Sequence, residues 1–276
     1  MTEPMIAEIA AFARDIARKA GEIITQERAG DALEHRYKAQ QELVTSADLK
    51  ADALITGAIR EQYPSHRILS EESHPDLAEA EDLDSPLWII DPIDGTVNYA
   101  YGHNQVAVSI AWGYRGKIQV GIVHCPFQGE TFEAVRGQGA TLNNRPIRHS
   151  GCDRLSQALV ATGFPYGKDR LAPLIRRLDA VLHHCRDIRR NGSAALDICW
   201  VAAGRLDAYY ETVSPWDCAA AALVAQEAGA RSGHFLPVPE GRNPELWSQN
   251  LLITAPALYE PLQTLLQEAS SEGISR

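Results

Sequence analysis

The chain has 276 residues, and its 36 acidic side chains against 26 Lys and Arg give a formal net charge of −10 at pH 7. This charge disfavours a direct nucleic-acid partner, and no segment approaches the roughly 20 consecutive apolar residues that span a membrane. A hydrophobic fraction of 45% with 22% charged residues excludes disorder as the main state.

The first half of the chain predicts helices followed by a largely antiparallel sheet. Apolar residues recur at spacings of three and four over residues 6–24, which indicates an amphipathic helix. A second helix is predicted from Ser46, as its N-cap, to Gln62. Alternating and continuous apolar runs predict strands at residues 87–90, 106–112, 118–123 and 130–135.

The second half alternates helices with short apolar strands, as α/β proteins do. Helices are predicted at residues 171–184, 193–203, 215–228 and 256–268, and strands at residues 158–161, 187–189, 206–210 and 250–254. The polar turn at residues 143–151 predicts a boundary between an α+β subdomain, residues 1–149, and an α/β subdomain, residues 150–276.

The amino-terminal segment and the cysteines predict a cytoplasmic protein. Residues 1–8 contain two glutamates and no basic residue, which is the wrong pattern for a secretory signal. The five cysteines are odd in number and include no Cys-x-x-Cys pair, so we expect them to be reduced thiols.

One stretch of the chain carries acidic residues without basic ones. Between Arg67 and Arg115 there is no Lys or Arg, while nine Asp or Glu residues fall there. Two of them, Asp91 and Asp94, directly follow the apolar strand at residues 87–90. Two carboxylates delivered to the end of a buried strand suit a divalent cation.

Three other short segments have an ordinary structural interpretation when each is taken alone. Gly95-Thr96 favours a turn, whose free N–H groups can also hold a phosphate. Ser70-Glu71-Glu72-Ser73 is typical of a solvated acidic loop, and Ser214-Pro215-Trp216-Asp217 of a helix start with its capping acid. A multi-metal phosphate site, however, needs about four carboxylates that converge from separate elements.

In their order and separations, Glu71-Glu72, Asp91-Pro92-Ile93-Asp94-Gly95-Thr96 and Trp216-Asp217 resemble the motifs of the inositol monophosphatase family of magnesium-dependent, lithium-sensitive phosphatases. Further blocks at residues 42–48, 63–66, 192–195 and 207–211 extend the resemblance to roughly residues 5 to 265. It implies a layered α-β-α-β-α sugar-phosphatase fold, with an antiparallel-sheet first half and an alternating α/β second half, and a homodimer.

Carried onto this chain, the resemblance implies a site for two to three Mg²⁺ ions. The implied metal ligands are Glu71, Asp91, the carbonyl of Ile93, Asp94 and Asp217. The implied catalytic residues are Glu71, Thr96, Asp48 and Asp94, with Glu71 and Thr96 orienting the attacking water and Asp48 behind Thr96. The implied substrate-binding residues are Asp94, Gly95, Thr96, Gly192, Ser193, Ala194, Glu211 and Asp217. Most metal ligands thus fall in the first subdomain, and the last ligand and the substrate contacts in the second. Lys38 matches a lysine of the family's mobile metal-site loop.

The resemblance predicts a Mg²⁺-dependent phosphomonoesterase that hydrolyses inositol monophosphate, or a similar small alcohol phosphate, by direct attack of a metal-activated water. Histidinol phosphate, fructose bisphosphate and a phosphoadenosine phosphate stay open as substrates on the same site. Glu211 and Val97-Asn98-Tyr99 favour the inositol branch. A regulatory or interaction protein of the same fold is an alternative from another class. Arg189-Arg190 could contact substrate or a partner subunit, or lie at a solvated strand end.

Overall fold

Two helices, α1 (Glu3–Ala29) and α2 (Ser46–Gln62), pack against each other on one face of a seven-stranded sheet. The computed structural model describes residues 3–30, 35–37, 43–73, 83–165 and 171–271. Helix α2 begins one residue earlier than predicted, because the N-cap is Thr45 rather than Ser46. Thr45 and Asp48 form a reciprocal capping box, in which the Asp48 carboxylate accepts from the Thr45 backbone N–H at 2.8 Å.

The seven-stranded sheet has the order β3-β4-β5-β6-β7-β8-β9. Strands β3 and β4 are parallel, and every later neighbour in this sheet is antiparallel. Its strands are β3 (Arg67–Ser70), β4 (Leu87–Asp94), β5 (Ala107–Tyr114), β6 (Lys117–Cys125), β7 (Glu130–Val135), β8 (Ala140–Leu142) and β9 (Arg145–Pro146). A separate antiparallel pair is formed by β1 (His35–Tyr37) and β2 (Leu43–Thr45).

The second sheet has five strands in the order β11-β10-β12-β14-β13. Strand β10 is parallel to both of its neighbours, whereas β14 is antiparallel to both of its own. The strands are β10 (Leu159–Thr162), β11 (Asp187–Arg189), β12 (Ala208–Glu211), β13 (Arg231–His234) and β14 (Leu251–Thr254).

Three apolar cores hold five layers together. The first core lies between α1, α2 and the seven-stranded sheet. The second lies between the two sheets and contains α5 (Ala194–Ala202) and α6 (Pro215–Glu227), whose short Ala-rich faces let both sheets approach closely. The third lies on the outer face of the five-stranded sheet, under α4 (Leu171–His184) and α7 (Tyr259–Ser271). The predicted layered α-β-α-β-α fold is confirmed.

The predicted elements agree with the structure in type and differ at their ends. Strand β4 extends four residues beyond the predicted end at residue 90, through an irregular register between Asp91 and Asp94. The last helix starts with a 3₁₀ turn at Pro256–Leu258 before α7. The division at residues 149/150 stays a prediction, because α5 and α6 of the second half share their core with the first sheet. In the described part of the chain, no helix is both long and apolar enough to cross a membrane.

Gly121 of β6 lies where the backbone of α6 comes closest to the first sheet. A Cβ there would overlap the carbonyl oxygen of Ala220 and lie 3.1 Å from its Cα. We expect Gly121→Ala to lower the free energy of unfolding by about 1–3 kcal/mol, because α6 must move away from the sheet. Urea unfolding measures the change.

Gly57 provides the matched control for this substitution. It is exposed in the middle of α2, and a Cβ there would meet no atom within 4 Å. Gly57→Ala should therefore stabilise the protein by about 0.5–1 kcal/mol through helix propensity alone. Equal effects of the two substitutions would contradict close packing at Gly121.

Candidate functional site

A cavity of about 420 Å³ opens where the ends of β3, β4 and β12 meet the first turns of α5 and α6. Every residue predicted to bind metal or substrate lines it. They are Glu71, Asp91, Ile93, Asp94, Gly95, Thr96, Gly192, Ser193, Ala194, Glu211 and Asp217. Side chains 140 positions apart in sequence thus share one space.

Glu71, Asp91 and Asp217 form an acidic cluster in which one carboxylate oxygen from each residue lies within 4.8 Å of the others. Glu71 follows β3, Asp91 lies near the end of the parallel strand β4, and Asp217 lies in the first turn of α6. Within the described residues it is the single such group of three or more ligand side chains. Hard oxygen ligands at this spacing fit Mg²⁺, which binds carboxylates and keeps water on its other positions.

Backbone N–H groups fix the acidic cluster. The backbone N–H of Ile93 donates to Asp91 Oδ1 at 2.9 Å, and that of Ser214 donates to Asp217 Oδ2 at 2.7 Å. The Glu71 backbone N–H donates to the carbonyl of Ile90 at 3.2 Å, which continues the β3–β4 pairing to the cluster. Asp217 is therefore both the predicted capping acid of α6 and a member of the cluster.

Burial and repulsion between charges raise the pKa values of Asp91 and Asp217. Burial raises the pKa of Asp91 well above its usual range, and the charges of Glu71, Asp94 and Asp217 raise it further. Burial, followed by the charge of Asp94, raises the pKa of Asp217 to about 8. The carboxylates are stable together only when protons or cations balance their charge. The donor set therefore fits a divalent metal ion.

Asp94 points to the first turn of α5 instead of joining the three-residue cluster. It accepts hydrogen bonds from Ser193 Oγ at 2.5 Å and from the backbone N–H groups of Ala194 and Ala195 at 3.2 Å and 2.8 Å. Burial raises its pKa to about 6, although these donors act in the opposite direction. The metal-ligand role of Asp94 stays a prediction.

A tight turn carries the predicted phosphate-binding groups. Gly95 has φ of +94°, and a Cβ there would lie 2.8 Å from the carbonyl oxygen of Gln105, so only glycine fits. Helix α3 (Thr96–Ala100) follows, and the Thr96 hydroxyl lies 3.0 Å from the carbonyl oxygen of Ile93 and 3.3 Å from Asp48 Oδ1. Asp48 lies outside the cavity lining, behind Thr96, where burial raises its pKa.

Glu211 forms the opposite side of the cavity. The Tyr209 hydroxyl donates to Glu211 Oε2 at 2.6 Å, and burial raises the pKa of Glu211 to about 7. Arg190 also lines the cavity and lowers this pKa through its charge. Arg189, in contrast, does not line the cavity and forms an ion pair with Asp187 at 2.7 Å.

Further cavity residues were not predicted from the sequence; they include Thr162, Gly163, Phe164, Pro165, Asp197 and Gln249. Two signals were available for some of them. Gly163, Arg190 and Glu211 stand at the carboxyl ends of three neighbouring parallel strands, where α/β proteins bind ligands. Asp197 lies one helical turn after Ser193, and burial raises its pKa to about 7. Lys38 lies outside the described residues.

Comparisons with known proteins identify the family of the chain. The sequence profile of the inositol monophosphatase family matches residues 5–272. Nus factor SuhB from Pasteurella multocida is 38% identical over 264 residues, which cover 94% of this chain and 96% of that protein. The solved inositol monophosphatase from Anabaena matches with a TM-score of 0.81 and 33% identity, covering 95% of this chain and 96% of its own. The structure of the extragenic suppressor protein suhB from Bartonella henselae matches with a TM-score of 0.85 and 32% identity. The match covers 97% of this chain and 100% of that chain.

The raised pKa values predict that Mg²⁺ stabilises the protein more at high pH. A carboxyl group whose pKa is raised in the folded state contributes to the stability of the folded protein at low pH. That contribution is lost as the pH rises through the folded pKa, here about 6 for Asp94 and about 8 for Asp217. Protons and Mg²⁺ compete for the same oxygens. We expect the thermal midpoint in EDTA to fall between pH 5.5 and 8.5, at about 2–4 °C per kcal/mol, and Mg²⁺ to restore most of the loss.

Two variants check that the acidic cluster causes this effect. Asp217→Asn should weaken the pH-dependent part of the Mg²⁺ stabilisation, because a cluster carboxylate is gone. Asp153→Asn removes an exposed carboxylate and should leave it intact. A Mg²⁺ shift of equal size at both pH values would contradict the assignment of the metal to these carboxylates.

Proposed function

Because the chain belongs to the inositol monophosphatase family of metal-dependent phosphatases, we propose that it hydrolyses inositol monophosphate or a similar small alcohol phosphate in the presence of Mg²⁺. The observation that carries the proposal is the convergence of Glu71, Asp91 and Asp217, with oxygens within 4.8 Å of one another, in a cavity of alcohol-phosphate size. Catalytic carboxylates in a pocket with raised pKa values mark functional sites in many proteins.

In this proposal the acidic cluster holds two to three Mg²⁺ ions, together with the carbonyl of Ile93 and the carboxylate of Asp94. When bound, Mg²⁺ neutralises the charge of the phosphoryl group and lowers the pKa of water by several units. Glu71 would accept a hydrogen bond from the attacking water and so help to orient it. The Thr96 oxygen orients that water, since its own proton is directed to the Ile93 carbonyl or to Asp48.

The remaining groups bind the substrate. The backbone N–H groups of Gly95 and Thr96 hold the phosphate, as free N–H groups at a helix start do. Glu211 accepts hydrogen bonds from hydroxyl groups of the alcohol, and the turn of Gly192 and Ser193 supports the other side. This orientation is supported by the fact that Glu211, Asp94, Gly95 and Thr96 line one cavity together with the acidic cluster.

The substrate within this class is the finer part of the proposal. Inositol monophosphate is favoured by Glu211, whose carboxylate can accept hydrogen bonds from a polyol. Histidinol phosphate, fructose bisphosphate and phosphoadenosine phosphate stay as alternatives on the same site.

A second candidate function is a regulatory or interaction role. It is favoured by relatives that carry the name Nus factor SuhB, such as the protein from Pasteurella multocida, which is 38% identical over 94% of this chain. The net charge led us to expect no direct nucleic-acid partner, and the comparisons with these relatives do not support that expectation. The two roles are compatible, because all the predicted metal-binding side chains are present.

Phosphate release tests the proposal. With Mg²⁺ we expect release from at least one of the four candidate phosphates, ranked by kcat/KM, and inhibition by Li⁺. Asp91→Asn should lower kcat/KM by at least about 10³-fold, because it removes the cluster's central carboxylate. Asp153→Asn is the matched exposed control and should retain the wild-type rate.

No release from any sugar, polyol or amino-alcohol phosphate would contradict the enzyme proposal. The same Asp91→Asn variant distinguishes the regulatory role from the phosphatase activity. A regulatory role that is independent of the metal site leaves this variant able to replace the wild type in a bacterium that lacks its own SuhB relative.

The homodimer is part of the proposal by family membership. Light scattering should give about twice the 30.3 kDa mass of one chain. A mass near that of a single chain, at the protein concentration used for the activity measurements, would contradict the dimer without affecting the phosphatase proposal.

A further inference from the structure

Strand β12 presents two consecutive tyrosines to opposite faces of the second sheet. Tyr209 packs with α5 and α6 in the core between the sheets, whereas Tyr210 packs under α4 and α7. Glu211 stands two positions after Tyr209 and therefore shares its face of the strand. The cavity and the Tyr209 side chain are thus on the same side of β12.

Tyr209 is fully buried, and its hydroxyl donates a hydrogen bond of 2.6 Å to Glu211 Oε2. Burial and the neighbouring carboxylates raise the pKa of Tyr209 well above its usual range, so the phenol keeps its proton and stays a donor. A short bond from a neutral donor to a carboxylate is strong and directional. It occupies Oε2 of Glu211, a residue that itself lines the cavity.

Gly163 leaves open the space that the same carboxylate occupies. A Cβ at this position would overlap the carboxylate atoms of Glu211. The backbone of Gly163 is not in the left-handed region, so the lack of a side chain serves space rather than conformation. The Glu211 carboxylate is therefore fixed between a buried donor and a close glycine.

The charged groups around Glu211 make this donor important at neutral pH. Burial raises the pKa of Glu211 to about 7, and the charges of Asp197 and Asp94 act in the same direction. The Tyr209 hydroxyl and the Arg190 charge oppose them. Removing the hydroxyl takes away a group that favours the ionised carboxylate as well as its orientation.

We propose that Tyr209 is a positioning residue for substrate selection: with Gly163, it holds Glu211 so that the free carboxylate oxygen accepts a hydrogen bond from a second hydroxyl of a polyol monophosphate. The inference rests on the proposed function and deepens it, because it assigns the preference for polyol phosphates to a pair of residues outside the metal site. Tyr209 itself touches no substrate atom.

Tyr209→Phe tests the inference, because it keeps the ring and removes only the hydroxyl. For myo-inositol 1-phosphate we expect KM to rise about ten-fold, as for loss of a hydrogen bond to a charged group, with kcat changed by less than about two-fold. The inhibition constant of inorganic phosphate, which has no alcohol part, should not change. Tyr210→Phe is the matched control, since it removes a buried hydroxyl from the other face of the same strand. It should leave KM for myo-inositol 1-phosphate and the inhibition constant of inorganic phosphate unchanged.

A second comparison shows whether Tyr209 acts through Glu211. In a Glu211→Ala background, Tyr209→Phe should change KM by less than about two-fold, because the carboxylate that the hydroxyl positions is already gone. Gly163→Ala should reproduce the rise in KM by displacing the carboxylate. Urea unfolding of each variant separates these effects from loss of folded protein.

The outcomes distinguish the two proposals. A wild type that releases no phosphate from any candidate overturns the proposed function, and the inference with it. An active wild type whose Tyr209→Phe variant loses affinity equally for myo-inositol 1-phosphate and inorganic phosphate overturns the inference alone. An undiminished effect of Tyr209→Phe in the Glu211→Ala background also overturns it.

Discussion

The structure is organised around the repulsion between buried carboxylates. Asp91 lies near the end of β4, a strand with all eight residues buried, and Glu71 and Asp217 are brought to it from the end of a parallel strand and from a helix of the other half. Water cannot screen these charges well inside the protein, so the neighbouring carboxylates raise the pKa of Asp91. The packing of the five layers keeps these carboxylates close together despite their repulsion. A divalent cation bound between them would reduce that repulsion.

Several of these carboxylates are oriented in the same way, by a hydrogen bond to one of their two oxygens. One oxygen is fixed by a nearby N–H or O–H of the protein, which leaves the other oxygen free to face a neighbour or the cavity. Ser214 N–H fixes Asp217, Ile93 N–H fixes Asp91, and the Tyr209 hydroxyl fixes Glu211. In Asp48 the second oxygen faces Thr96 instead. A capping box and a tight turn therefore serve the site as well as the local fold, because they set the direction in which a charge points.

The sequence could predict those parts of the fold and the site that depend on local patterns. The apolar run before Asp91 indicates a buried strand, and strict helical spacing indicates α1. The helix start at Thr45 was missed because Ser46 is also a good cap, although the Thr45-x-x-Asp48 spacing distinguishes the two. Strands β3 and β13 were missed because they are four-residue edge strands with half-buried faces, in which alternation is too short to recognise. Asp197 and Gly163 were missed because their place in the cavity follows from strand order and helix packing.

The distribution of charge across the cavity explains how an acidic protein can bind an anion. The acidic cluster is negative by itself, so phosphate and metal are expected to bind together, with the cation reversing the local sign. Glu211 and Asp197 line the same cavity, where the charge of Arg190 and hydrogen bonds from Tyr209 and Asn191 oppose the rise of their pKa values. In the proposed function, the acidic cluster attracts the phosphate only when it is loaded with metal, whereas Glu211 accepts hydrogen bonds from the alcohol. The net charge of −10 is thus compatible with a phosphate ligand, since the position of each charge decides what the site binds.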